Sequence, residues 1–317
     1  MQFRTYAIEM PTRFRGIDRR EGMLLEGPAG WAEFSPFLDY DDATSAAWLA
    51  AALDSADRDW PAPIRDRIPV NCTVPAVGPE QAHEIVRRSG CSTAKVKVAE
   101  IGQTLADDIA RVEAVRDALG PGGKVRVDAN GAWTVEDAEV AIRTLAAEHD
   151  LEYVEQPCET VEELAALRRL VDVPIAADES IRRAEDPLRV ARLDAADVAV
   201  LKVQPLGGVH ACLRIAEEIG LPVVVSSAVE SSIGLAAGVA LAAALPGLPY
   251  ACGLGTMSLL AGDVTADPLA PVDGALPVRA AAPDPARLAA FETDPEPWRA
   301  RISAAAGFLV APFPGAG

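Results

Sequence analysis

Short apolar runs recur through the middle of the chain, and each closes on or near a charged residue. Ala94-Lys95-Val96-Lys97-Val98 comes first, followed by Lys124-Val125-Arg126-Val127-Asp128-Ala129-Asn130. Leu151-Glu152-Tyr153-Val154-Glu155-Gln156-Pro157, Pro174-Ile175-Ala176-Ala177-Asp178-Glu179-Ser180 and Val198-Ala199-Val200-Leu201-Lys202 complete the set. Each run is strand-length, and most are rich in β-branched residues. The charged ends stand 31, 27, 23 and 24 residues apart, from 97 to 128, 155, 178 and 202. An eight-unit barrel of about 250 residues takes about 31 per strand–helix unit. The spacing therefore predicts a TIM-like α/β barrel, (β/α)7β, with five charged groups at one end of five consecutive strands.

The strand–helix alternation extends over residues 67–279. Its first strand covers 67–74 and its second 93–98. The third to sixth end at Asp128, Glu155, Asp178 and Lys202, and the last two cover 222–227 and 250–255. Thr134-x-x-Asp137 reads as a capping box with Asp in place of the usual Glu. The Ala-rich run 235–248 is too short and too interrupted by Gly and Pro to span a bilayer, and reads as a buried barrel helix. Residues 1–66 form a separate unit. Alternation over 3–8, 22–27 and 30–34 gives three strands, and 42–56 has helical spacing, so an α+β capping domain is expected. A Pro- and Ala-rich tail, about 280–317, is expected to pack back on it, with one helix near 298–305. The loop drawn between the first two strands, Thr12 to Arg20, is basic, and Arg13 is its candidate ligand. It can close over an anionic ligand or stand as a solvated turn.

Charge changes the picture next. The formal net charge is −18 over 317 residues, which speaks against nucleic acid or an anionic membrane as partner. No obligatory protein partner is evident, and a small-molecule carboxylate is the expected ligand. The five cysteines (Cys72, Cys91, Cys158, Cys212, Cys252) are scattered and odd in number, as expected of reduced thiols in a cytoplasmic protein. No basic segment followed by an apolar one opens the chain, so no secretory leader is expected.

Three carboxylates converging at strand ends, Asp128, Glu155 and Asp178, would repel strongly in a low-dielectric site. A divalent cation resolves this. All-oxygen ligation favours a hard ion, most simply Mg2+, with Mn2+ as a substitute. Lys95 and Lys97 are two apart and share a strand face. Two neighbouring ammonium groups disfavour each other's charge, which would bring at least one pKa down from about 10 toward the 7–8 of a general base. Lys202 arrives from across the barrel. A metal flanked by lysines suits removal of a proton α to a carboxylate, with the charge held as an enediolate. Asn130, two beyond Asp128, can point inward. Ser227 and Ser232, in the stretch Ser226-Ser227-Ala228-Val229-Glu230-Ser231-Ser232-Ile233-Gly234, can hold a carboxylate or simply cap a helix. No Walker A, G-x-S-x-G, H-E-x-x-H or G-x-G-x-x-G motif occurs, and His83, His149 and His210 avoid strand ends.

As a set, Lys95-x-Lys97, Asp128-Ala129-Asn130, Glu155-Gln156-Pro157, Asp178-Glu179-Ser180 and Lys202 resemble the enolase superfamily, in its muconate-lactonizing subgroup. Gly30-Trp31-Ala32-Glu33 resembles that family's cap motif, with Ala32 where Gly is more usual. Phe14-Arg15-Gly16-Ile17, Gly30 to Phe37, Ser226 to Gly234 and Gly253-Leu254-Gly255-Thr256 resemble the actinobacterial o-succinylbenzoate synthase family. That resemblance implies Mg2+-dependent syn-dehydration of 2-succinyl-6-hydroxy-2,4-cyclohexadiene-1-carboxylate to 2-succinylbenzoate, in menaquinone synthesis. It implies Lys97 as the base, Lys202 as the enediolate partner, and Asp128, Glu155 and Asp178 as metal ligands. An N-succinylamino acid racemase, or another racemase or cycloisomerase of the subgroup, is the alternative. Dipeptide epimerases of the subgroup carry Asp-x-Asp where this chain reads Gly253-Leu254-Gly255-Thr256.

Overall fold

The computed structural model describes residues 2–184 and 186–309. Its first unit is an antiparallel sheet of β1 (Gln2–Phe14), β2 (Ile17–Gly27) and β3 (Gly30–Phe34), in that order, covered by helix α1 (Asp42–Asp57). Asp41 caps α1 by accepting from the Thr44 amide. Gly27 lets the end of β2 approach α1, where an added Cβ would lie 2.4 Å from the Ala56 carbonyl oxygen. The expected loop over residues 12–20 does not form. β1 and β2 continue outward and pair Phe14 with Ile17, which leaves a two-residue turn, Arg15-Gly16. Both turn residues have positive φ, +51° and +76°. That is the backbone a two-residue hairpin needs to match the twist of its strands.

Eight parallel strands then form a nearly closed ring, β4 (Arg67–Val74), β5 (Thr93–Lys97), β6 (Lys124–Asp128), β7 (Leu151–Glu155), β8 (Ile175–Ala177), β9 (Val198–Leu201), β10 (Val223–Val225) and β11 (Cys252–Gly255). A single parallel bridge from Ser226 to Gly253 brings the last two together. Seven connections carry helix: α2 (Pro79–Ser89), α3 (Leu105–Leu119), α4 (Val135–Glu148), α5 (Val161–Arg168), the short pair α6 (Glu179–Arg182) and α7 (Arg189–Arg192), α8 (Val209–Ile219) and α9 (Ser232–Ala244). No helix follows β11 in the manner of the others. A 3-10 turn at Met257–Leu259 and an extended segment lead instead to β12 (Ala275–Pro277), antiparallel to β4. The architecture is the (β/α)7β barrel with an N-terminal α+β unit that the spacing predicts. Thr104 and Thr160 make full capping boxes at α3 and α5. At Thr134 only half forms: its hydroxyl accepts from the Asp137 amide, while the Asp137 carboxylate bonds that hydroxyl.

The tail folds into α10 (Pro285–Phe291) and α11 (Glu296–Ala306). Trp298 stands edge-on to Phe34 at 5.9 Å, and Arg301 donates to the Phe37 and Tyr40 carbonyls at 2.6 and 2.9 Å. Residues 310–317 of the expected tail lie outside the described residues. Among the described residues, no helix is long and apolar enough to cross a membrane.

Inside the barrel, alternation stacks polar side chains in two layers. The lower layer is Arg126, fully buried. It donates to Glu152 at 2.6 Å, to Asn71 on β4 at 3.2 Å and to the Ala251 carbonyl at 2.7 Å. Its guanidinium lies 4.6 and 5.8 Å from the ring centroids of Tyr153 and Tyr250. The upper layer is the site.

Candidate active site

Asp128 and Glu155 end β6 and β7 and face each other in register. Asp178 lies one residue past β8, and Lys202 one past β9. Strands β5 and β9 are four apart in a ring of eight, so Lys97 and Lys202 approach from opposite walls. Both line one cavity, together with Lys95, Asp128, Asn130 and Ser227.

The three carboxylates are buried and each meets a cation. Lys97 donates to Asp128 Oδ2 at 2.6 Å and also bonds Asn130 Oδ1. Lys95 reaches Glu155 at 2.6 Å and Asp128 at 3.2 Å. Lys202 and Arg182 hold the two oxygens of Asp178, at 2.6 and 2.8 Å. Burial opposes ionisation of all three acids, and at Asp128 and Asp178 the cations outweigh it. Lys97 and Lys95 hold Asp128 far below its usual pKa, and Arg182 and Lys202 lower Asp178 to about 2. Glu155 goes the other way, up to about 7: burial dominates, Lys95 opposes it, and the charges of Asp128 and Asp178 push the same way as burial. Lys95 also departs from expectation. Burial works against its charge, but Glu155 and Asp128 outweigh burial and hold it as an ammonium. Its two anions matter more than its neighbour Lys97, so Lys95 is no candidate base.

The donor set suits a hard divalent cation: all oxygen, buried, with three acids close enough for Glu155 to sense both others. The acids are not gathered into a ready cage, and among the described residues no three His, Cys, Asp or Glu side chains form one. Each oxygen is drawn instead toward an ammonium or guanidinium group.

Two expected ligands sit elsewhere. Arg13 is exposed and does not line the cavity; Phe14 and Arg15 do, because the strands extend to the hairpin tip. Ser232 lies in the first turn of α9, fully buried, where its hydroxyl accepts from the Leu269 amide at 2.7 Å. It packs the barrel and leaves the cavity to Ser226 and Ser227. Ser227 donates to Glu230 at 2.5 Å and accepts from Thr256 at 2.9 Å. Arg182 was not visible as a site residue, since it acts only because α6 turns it back onto Asp178, four residues earlier.

The comparisons with known proteins agree with this geometry. A family described as enolase C-terminal domain-like matches residues 79–283, and one described as enolase N-terminal domain-like matches residues 5–56. An o-succinylbenzoate synthase of Thermobifida fusca (strain YX) is 66% identical over 305 residues, 96% of each chain. Another, from Mycolicibacterium smegmatis, is 60% identical over 92% of this chain and 90% of its own. The crystal structure of muconate cycloisomerase from Pseudomonas fluorescens superposes with a TM-score of 0.75 at 25% identity, covering 92% of this chain and 98% of that one. With charged residues at successive strand ends, a cap over the barrel mouth and relatives of this similarity, the chain belongs to the enolase superfamily, in its o-succinylbenzoate synthase family.

Proposed function

We propose that this protein is a lyase that dehydrates 2-succinyl-6-hydroxy-2,4-cyclohexadiene-1-carboxylate to 2-succinylbenzoate, a step of menaquinone synthesis. The observation that carries the reading is the pair of o-succinylbenzoate synthases at 66% and 60% identity over nearly the whole chain. The cavity supplies the matching chemistry. Lys97, as the base, takes the proton α to the substrate carboxylate. Its nitrogen is fixed at the wall by Asp128 and Asn130, and proton transfer by a positioned side chain contributes about 10²–10⁴-fold. The carbanion charge moves onto the carboxylate, where the Lys202 ammonium meets it from the opposite wall. Lys97 then returns the proton to the departing hydroxyl on the same face. The C–H and C–O bonds break, water leaves, and the ring becomes aromatic.

Enolase superfamily members depend on a divalent metal. Mg2+, with Mn2+ as a substitute, is the ion we assign to Asp128, Glu155 and Asp178, where it would neutralise charge on the substrate carboxylate. It would compete with Lys95, Lys97, Lys202 and Arg182 for the same oxygens. Lys95 would stay charged between Glu155 and Asp128, and Ser227 and Asn130 would contact the substrate. Five free cysteines suit a reducing, cytoplasmic setting.

The test is an assay of purified protein with the cyclohexadiene substrate, following aromatic absorbance with and without chelator. Metal-dependent product formation, abolished in Lys97→Ala, supports the reading; wild-type turnover in that variant overturns the assignment of the base. Lysines on opposite walls would also serve a racemase of N-succinyl amino acids, which α-deuterium exchange in heavy water would reveal.

A further inference from the structure

Five cations line the cavity, and four are committed. Lys95, Lys97, Lys202 and Arg182 each hold a buried carboxylate at 2.6 to 2.8 Å. Arg15, the fifth, has among the described residues only Asp39 as an anionic partner, at 3.4 Å, and that carboxylate is 65% exposed. Yet Arg15 is not loose. Its guanidinium lies 3.9 Å from the Phe37 ring centroid and donates to the Tyr40 hydroxyl at 3.0 Å. Arg182 donates to the same hydroxyl at 2.9 Å. Tyr40, behind the cavity wall, thus ties the hairpin tip to the arginine that grips Asp178. Arg15 also occupies a left-handed backbone position, φ +51°, where most side chains are disfavoured.

We propose that Arg15 is the specificity-determining residue for the second anionic group of a dicarboxylate substrate, and that Tyr40 is its positioning residue. The inference rests on the reading above. The carboxylate next to the reacting carbon belongs with the lysines and the three acids. The succinyl carboxylate, at the far end of a flexible chain, then needs a cation that the acids have not taken. Phe37 fixes the guanidinium plane, leaving N–H groups to bond a carboxylate.

Calorimetry with Mg2+ tests this using two ligands, 2-succinylbenzoate and 2-butanoylbenzoate, which replaces the terminal carboxylate by a methyl group. Wild-type protein is expected to prefer the dicarboxylate by roughly tenfold to a hundredfold, the scale of a charge-assisted hydrogen bond. Arg15→Met should lose that preference while still binding the monocarboxylate as the wild type does. Tyr40→Phe keeps the ring and loses the hydroxyl, and should lower the preference by a smaller factor. A wild-type ratio retained in Arg15→Met overturns the proposal, and one retained in Tyr40→Phe overturns the positioning role. Wild-type protein that binds neither compound overturns the dehydratase reading, and this inference with it.

Discussion

The barrel mouth and the seam between cap and barrel both bury carboxylates, and they neutralise them by different means. At the barrel mouth, Asp128, Glu155 and Asp178 face ammonium and guanidinium groups. At the seam between cap and barrel, Glu33 meets mainly neutral donors. Tyr6, Ser35 and Ser231 give it their hydroxyls at 2.7, 2.6 and 2.5 Å, and the Gly234 amide donates at 3.1 Å. Arg20 stands nearby, bonded to Ser35 and to the Val229 carbonyl. Burial still wins there, and the Glu33 carboxyl is pushed above its usual pKa despite Arg20 and three hydroxyls. The mouth is built from charges that can change partners; the seam is built from dipoles that cannot. Exchangeable ion pairs suit a site that must admit a cation and an anion. A closed hydrogen-bond shell suits a joint that keeps two units in register.

The largest test of this contrast is Lys97→Ala. Turnover should fall roughly 10³-fold or more, while the thermal midpoint stays within a few degrees. A large fall in the midpoint with activity retained would erase the distinction between the two places. Glu33→Ala should do the opposite. It leaves three hydroxyls and an amide without their acceptor, and should cost about 2–4 kcal/mol in urea unfolding. Glu33→Gln, keeping the shape, should cost less. Third comes the metal. Saturating Mg2+ should raise stability by about 2.7 kcal/mol at 100 times its Kd. Asp178→Asn should weaken Mg2+ affinity at least about tenfold, which about halves that response at the same concentration, and Glu33→Gln should leave it intact.

The smallest effect is in pH. Below the unfolded Glu pKa of 4.5, folded and unfolded chains both hold the proton. Above it the unfolded chain releases the proton while folded Glu33 retains it, so stability falls as pH rises, until Glu33 itself ionises. Unfolding measured from pH 4 to 7 should show this slope in wild-type protein relative to Glu33→Gln. A slope of the reverse sign would mean the hydroxyl shell outweighs burial.

The reacting groups could be read from the chain because each depends on one local rule. Lys97, Asp128 and Glu155 end strands, and strand alternation with strand spacing is enough to turn them toward a common axis. Arg182 depends on something the spacing does not carry, a four-residue helix directly after Asp178. Arg13 and Arg15 differ by the length of a turn. A nine-residue loop treats its basic residues alike, whereas a two-residue hairpin singles out the tip. The pair Arg15-Gly16, with glycine in the second turn position, was the available signal. Ser227 and Ser232 both read as hydroxyls near a helix start. Only the packing of Leu269 and Met257 against the first turn of α9 separates them.

The Arg126 strut has a consequence for traffic. It crosses the barrel axis from β6 to β4 and to the residue before β11, with the rings of Tyr153 and Tyr250 beside it. Packed there, the guanidinium and the two rings plug the tube beneath the reacting groups, and the hairpin residues Phe14 and Arg15 border the cavity above.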